Sequence, residues 1–238
     1  MAEDRSSAGF VGRGIAAHGR DAARSRSADA DPGTPPVQGL YDPALDKDAC
    51  GVGFIADIKG RKSHQIVADG LEILCNLEHR GAVGADPRMG DGAGILVQIP
   101  HKFFAKKAAE LGFKLPEPGQ YAVGQLFMPR EPNWRQIIRD TYGEVIQREG
   151  LKLLGWRDVP HDNASLGESV KPTEPEHQQV FIGQGKKKLT ESEFERRLYI
   201  LRKSISSAIY NKRERRVSHY YPVSISCRTV IYKGMFLA

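Results

Sequence analysis

Cysteine is scarce in this chain, and its three cysteines, Cys50, Cys75 and Cys227, lie far apart. An odd number without close spacing argues against a disulfide framework and against a metal site of the Cys-X-X-Cys type. We therefore expect free thiols in a reducing compartment and no metal ion bound by this chain.

Long apolar runs are also absent. No stretch approaches the roughly 18 residues of a membrane helix, and the N-terminus has no apolar signal core. Five acidic residues disfavour an organelle transit peptide: Glu3, Asp4, Asp21, Asp29 and Asp31. We expect a cytoplasmic protein without a membrane partner. Residues 1–36 lack apolar periodicity and end in a proline-rich stretch, which predicts a disordered leader.

The positive charge is local. The 238 residues carry a net charge of +6, but residues 186–216 alone hold eleven basic and four acidic residues, a net charge of +7. Such a segment is typical of the polar face of a surface helix, supported by pairs such as Glu193–Arg197. The alternative is a nucleic-acid interface formed by residues 186–216. Few aromatic residues interleave with these cations, so we expect no nucleic-acid partner.

Apolar periodicity predicts a mixture of helices and strands. An alternating pattern predicts a strand over 50–58, and Ser63 caps a helix that extends to about Glu78 and places Cys75 on its apolar face. Further strands are predicted near 95–99, 121–128, 151–159 and 179–182, with a last strand pair at 220–226 and 228–233. Helices are predicted over 101–111 and 133–148 and from a capping box at Thr190–Glu193, with Phe194, Leu198, Leu201, Ile205 and Ala208 on one stripe. The strands between these helices favour an α+β fold.

Cys50 is the residue whose surroundings suggest chemistry. It stands where the leader gives way to the folded pattern, and two nearby glycines, Gly51 and Gly53, leave its side chain uncrowded. Cleavage after Ala49 would give the thiol a free α-amino group on the same residue. That amine has an ordinary pKa of about 7.7–8.0, so it can accept the thiol proton and later return it to a leaving group.

Six motifs occur in one order along the chain. They are DACGVGF at 48–54, EHRGA at 78–82, GDGAG at 90–94, YAVG at 121–124, GWRDVP at 155–160 and VIYKG at 230–234. In this ordered set, residues 39–238 resemble the class II glutamine amidotransferase domain at the N-terminal end of glutamate synthases.

The resemblance implies a four-layer αββα sandwich of the N-terminal-nucleophile hydrolase type, truncated here at its C-terminal end. It implies that residues 1–49 are a leader and propeptide and that residues 50–238 are part of the amidotransferase domain. Cys50 would attack glutamine, form a γ-glutamyl thioester and release ammonia. The ammonia would then serve the reductive amination of 2-oxoglutarate to glutamate.

Other site residues follow from the same resemblance. Arg80 matches an arginine near the glutamine pocket, although a structural role at a helix end is equally open. We expect a structural role for His79 and a turn at Asp91. Cys75 is predicted to be a core residue, and Cys227 an ordinary thiol.

No cofactor is expected in this chain. The resemblance places FMN and an iron–sulfur cluster in downstream domains of the same polypeptide, with a small reductase subunit or ferredoxin as a further partner. The family's oxyanion Asn-Gly pair also lies downstream, so we expect the isolated chain to be nearly inactive. An amidotransferase that serves another acceptor is the remaining alternative, but it would not be expected to share the GWRDVP motif.

Overall fold

The computed structural model describes residues 37–39, 51–77, 92–210 and 219–234. The chain divides into two units, Met1–Gly81 and Ala82–Ala238. The described elements combine helices with antiparallel sheets, which confirms the α+β class. Within these residues, no helix is both long enough and apolar enough to cross a membrane.

The first unit contains one described helix, α1, over His64–Asn76. The Ser63 side chain accepts a hydrogen bond from the backbone amide of Gln65, so the predicted cap is confirmed. Cys75 is exposed, so the prediction that it is a core residue is wrong. No residue of α1 is buried in the described part of the chain, and Cys75 shares this exposure.

The strand predicted over 50–58 is also wrong for its described part, residues 51–58. The alternating side chains are exposed instead: Val52 by 91%, Phe54 by 89% and Ile58 by 97%. A strand needs a neighbour that accepts and donates its ladder hydrogen bonds, and none of the described strands pairs with this segment. Apolar alternation alone does not supply that neighbour.

The second unit is built on a four-stranded antiparallel sheet in the order β3-β4-β2-β5. Its strands are β2 (Tyr121–Met128), β3 (Lys152–Asp158), β4 (Glu176–Gly183) and β5 (Tyr221–Ser226). The bounds of β2 match the prediction, whereas β4 begins three residues earlier than predicted. The connection between β3 and β4 contains a short 3-10 helix, Lys171–Thr173.

Two helices cover one face of this sheet. They are α3 (Pro132–Arg148) and α4 (Glu191–Tyr210), and both were predicted from their apolar stripes. Their buried side chains form the main core with the even-numbered residues of β2. In α4 the buried stripe includes Ile209, which was not predicted, while Ala208 is only partly buried.

The capping box at the start of α4 is confirmed. The Thr190 hydroxyl accepts a hydrogen bond from the backbone amide of Glu193, and the Glu193 carboxylate accepts one from the backbone amide of Thr190. The pair predicted between Glu193 and Arg197 does not form. Since the Glu193 carboxylate is occupied by the cap, Arg197 lies instead 3.9 Å from Glu149 at the end of α3.

The opposite face of the sheet carries a second, smaller core. It contacts a two-stranded antiparallel sheet of β1 (Ala93–Gln98) and β6 (Thr229–Gly234), together with α2 (His101–Glu110). Burial alternates along β1, and Leu96 is 60% exposed, so this strand is half-buried rather than buried as predicted. The last two strands were predicted as a pair, but β5 pairs with β2 while β6 pairs with β1.

Candidate functional site

The two site residues predicted from the sequence, Cys50 and Arg80, lie outside the described residues, as do His79 and Asp91. Their neighbours in the first unit are described. A Cβ atom at Gly51 would lie 2.9 Å from Cδ2 of Leu77, and one at Gly53 would lie 2.5 Å from Cγ2 of Ile73. The segment that follows Cys50 therefore packs against the last turn of α1 and Leu77, three residues before Arg80.

This close approach explains why glycine occupies positions 51 and 53. Any side chain at position 51 or 53 would have to push aside Leu77 or Ile73, because such Cβ distances are shorter than van der Waals contact. A bulkier segment after Cys50 would thus stand farther from α1. In the structure, the space that side chains at positions 51 and 53 would need is occupied by Leu77 and Ile73.

Cys227 in the second unit is not equipped to act as a nucleophile. Its thiol is buried, and burial raises its pKa to about 12, assisted by the nearby Glu195 carboxylate. A thiol with this pKa stays protonated at neutral pH, whereas nucleophilic attack and metal ligation require the thiolate. This agrees with the prediction of an ordinary thiol.

These properties also oppose an iron–sulfur cluster in the described part of the chain. Cluster ligation needs several cysteine thiolates, and the described part of the chain holds two cysteines, Cys75 and Cys227. The described residues contain no group of three His, Cys, Asp or Glu side chains arranged around a common point.

A buried polar row lies on the second face of the central sheet and was not predicted. The Gln179 side-chain amide donates a hydrogen bond of 2.9 Å to Oε1 of Gln125, and its own Oε1 accepts one of 2.8 Å from Nη1 of Arg157. All three side chains are buried, and the Arg157 guanidinium also lies over the ring of Phe103 at 5.4 Å. Arg157 belongs to the GWRDVP motif, so the row gives that motif a structural role.

A histidine cluster lies next to this row along β4. The ring centroids of His161 and His177 are 5.3 Å apart, and Nε2 of His161 lies 3.7 Å from the Glu174 carboxylate. Asn163 donates a hydrogen bond of 2.9 Å to the same carboxylate. Burial lowers the pKa of His177, and a positive charge on His161 lowers it further. His177 is therefore kept neutral more strongly than an exposed histidine.

The basic segment is partly engaged in the fold. Arg197 pairs with Glu149, and Arg202 donates a hydrogen bond of 2.9 Å to the carbonyl of Pro222 in β5. These contacts favour a structural role for the basic face of α4 over a nucleic-acid interface.

Comparison with known proteins adds a family match. The model of the class-II glutamine amidotransferases matches residues 50–238. The chain is 40% identical over 205 residues to the glutamate synthase [NADH] of Schizosaccharomyces pombe, which covers 84% of this chain and 10% of that protein.

Other glutamate synthases give similar values. The large chain of the NADPH enzyme of Bacillus subtilis is 40% identical over 201 residues, covering 84% of this chain and 13% of that protein. The chloroplastic ferredoxin-dependent glutamate synthase 2 of Arabidopsis thaliana is 39% identical over 201 residues, which cover 84% of this chain and 12% of that protein. The chain thus spans roughly a tenth of the length of these relatives.

Proposed function

Because the chain belongs to the class-II glutamine amidotransferases, we propose that it is the glutaminase part of a glutamate synthase and that Cys50 is its nucleophile. One observation carries the proposal: the family match begins at Cys50 itself and leaves residues 1–49 outside. The similarity to glutamate synthases with three different electron donors supports the assignment. Residues 1–49 are then a leader and propeptide, and residues 50–238 belong to the catalytic domain.

The proposed chemistry begins with cleavage of the bond between Ala49 and Cys50. The freed α-amino group takes the proton of the Cys50 thiol, and the thiolate attacks the side-chain carbonyl carbon of glutamine. The protonated amine then gives its proton to the departing nitrogen, so ammonia leaves and a γ-glutamyl thioester remains. Water, deprotonated by the same amine, attacks the thioester and releases glutamate and the free thiol.

Arg80 is the proposed substrate-binding residue. Its guanidinium can bind a carboxylate through two parallel hydrogen bonds, and glutamine carries one such group. The contact of Gly51 with Leu77 supports this role, because it holds the chain after Cys50 beside the residues that lead to Arg80.

The whole protein would combine the ammonia with 2-oxoglutarate and reduce the product to glutamate. FMN and an iron–sulfur cluster would belong to further domains, and the electron donor would be a reductase subunit or ferredoxin. For the fold we propose the four-layer αββα sandwich, since one helical layer and two packed sheets are already present in the second unit. A cytoplasmic location suits its free thiols.

A glutamine analogue with an electrophilic diazoketone tests the nucleophile. We expect intact mass spectrometry of the protein purified from its native source to show a chain that starts at Cys50, with one analogue attached to it. Cys50→Ala should abolish this labelling, because the proposed mechanism assigns the attacking thiolate to Cys50 alone. Cys75→Ala is the matched control, since Cys75 is exposed and should not affect labelling. A protein that still starts at Met1, or labelling that persists in Cys50→Ala, would contradict the mechanism.

A further inference from the structure

A basic cleft of about 980 Å³ lies in the second unit, and neither the motifs nor the proposed function involve it. Its walls come from the loop after α2, the end of α3, the start of β3 and the loop after β4. Four lysines line it, Lys114, Lys152, Lys186 and Lys187, and no acidic residue does. We call it the lysine cleft.

The charges of the lysine cleft are not neutralised. Among the residues that the structure describes, none of its four ammonium groups forms a salt bridge. All four lysines are exposed. Several like charges around a concave surface with low-dielectric walls focus a positive potential, which attracts anions.

Another cleft of this unit provides a contrast. It has a volume of about 290 Å³ and contains two arginines and two acidic residues. Arg139 lies 3.3 Å from Asp158 and Arg135 lies 3.8 Å from Glu176, so its charges pair with each other. The residues that line the lysine cleft include no acidic partner of this kind, so its ammonium groups are available to an external anion.

The lysine cleft is held in shape by the backbone. A Cβ atom at Gly185 would lie 1.7 Å from the carbonyl oxygen of Gly150, so only glycine lets the loop after β4 approach the end of α3. The Gln184 side chain closes the same loop, since it donates to the carbonyl of Leu189 and accepts from the amide of Leu189. Lys186 and Lys187 lie within this closed loop, and Lys152 lines the same cleft.

The walls below the lysines are apolar. Leu115 and Leu154 are partly buried and belong to the smaller core, while Leu151 is buried in the main core. Apolar walls with a few polar groups are typical of sites for small organic molecules, and such sites usually enclose about 300–1,000 Å³. An inorganic anion would fill only a small part of this volume.

We propose that the lysine cleft binds an organic polyanion, a molecule with at least two negative charges joined to an apolar body. The charged groups would contact Lys152, Lys186 and Lys187, and the apolar body would contact the leucines. Phosphate esters and polycarboxylates share this chemistry. The proposal does not depend on Cys50, because none of these residues belongs to the glutaminase chemistry.

Calorimetric titration of the full 238-residue chain tests the site with three probes: metal-free ATP, tripolyphosphate and citrate. We expect ATP to bind more tightly than tripolyphosphate, because only ATP carries an apolar body. We expect the Lys152→Gln, Lys187→Gln double variant to bind ATP at least about tenfold more weakly, since two charged contacts are lost. Tighter binding of citrate than of either phosphate would assign the polycarboxylate class instead.

The matched control is the Lys102→Gln, Lys203→Gln double variant, which removes the same charge at two exposed positions outside the lysine cleft. It should retain the wild-type affinity. Circular dichroism should be unchanged in both variants, since all four positions are exposed. Equal loss of affinity in the two variants would show non-specific attraction and overturn the site. Absence of binding by all three probes at low salt would also overturn it, and equal affinity for ATP and tripolyphosphate would remove the apolar part of the proposal.

Discussion

Gln179 connects three buried polar side chains, and its position shows how a strand can carry polar residues inside a fold. It lies between Gln125 and Arg157, and each neighbour provides the complementary hydrogen-bonding group. A buried amide without partners costs free energy, whereas a satisfied one fixes the register of the strands that present it. In this sheet the row ties β3, β4 and β2 together in one register.

Substitution of Gln179 by Leu should lower the free energy of unfolding by about 2–3 kcal/mol, because both of its partners would be left buried without it. Urea denaturation followed by circular dichroism measures the change. Gln136→Ala is the control, since Gln136 bonds only to the exposed Asp140 on the same helix and should cost less than about 0.5 kcal/mol. An effect of Gln179→Leu as small as that of the control would mean that water replaces the lost partners.

His177 gives the protein a pH-dependent stability. Burial lowers its pKa in the folded state, so the unfolded chain binds a proton more readily as the pH falls through the ordinary histidine range near 6.5. The folded state therefore loses stability between about pH 7.5 and 5.5. Glu174 and Glu176 reduce this loss of stability because their charges raise the pKa of His177, whereas His161 increases the loss because it lowers that pKa.

His177→Gln should reduce this loss of stability, because the glutamine does not titrate. Urea midpoints at pH 7.5, 6.5 and 5.5 provide the comparison. His64→Gln replaces an exposed histidine and should leave the dependence unchanged. An identical pH dependence in His177→Gln and wild type would assign the effect to other groups.

Among the elements, helix α4 has the clearest local start signal. Thr190 and Glu193 satisfy backbone groups that the first turn would otherwise leave without partners. Thr190→Ala should lower the free energy of unfolding by about 1 kcal/mol, which urea denaturation can resolve. Thr190→Ser keeps the hydroxyl and should restore most of the stability. If the serine variant were as unstable as the alanine variant, the Thr190 methyl group rather than the cap would be responsible.

Elements with local signals were predicted well, and elements that depend on distant partners were not. The bounds of β2 and the start of α4 follow from residues adjacent in sequence. The pairing of β1 with β6 joins Ala93 to Gly234, and no local pattern specifies such a partner. Residues 51–58 illustrate the converse error. Their apolar residues alternate regularly and predicted a strand, but none of the described strands pairs with them.

The site features divide in a similar way. The family motifs pointed to Cys50 and Arg80, but the buried row of Gln125, Arg157 and Gln179 was missed because its members lie on three strands that only the sheet pairing brings together. The lysine cleft was missed since its residues come from three separate stretches of the chain, 114–116, 147–154 and 183–187. Part of the local charge excess, at Lys186 and Lys187, belongs to that cleft rather than to α4.

At the scale of the whole molecule, the proposed function would require an oxyanion hole for the tetrahedral intermediate. The 238 residues include no Asn-Gly dipeptide, the oxyanion pair expected from the family resemblance. Loss of one oxyanion donor typically lowers the rate about 10²–10³-fold. We therefore expect this polypeptide, expressed alone, to hydrolyse glutamine at least that much more slowly than a longer polypeptide that supplies the pair. Ammonia release measures both rates, and equal turnover would contradict the expectation.

The short link between β5 and β6 has a mechanical consequence. Only Cys227 and Arg228 separate the last residue of one sheet from the first residue of the other. The Glu195 carboxylate of α4 fastens this link, with hydrogen bonds of 2.8 Å from the Ser226 hydroxyl and 2.7 Å from the Cys227 amide. The two sheets are therefore joined at this edge by a short link that α4 holds in place, so the link restrains any displacement of one sheet relative to the other.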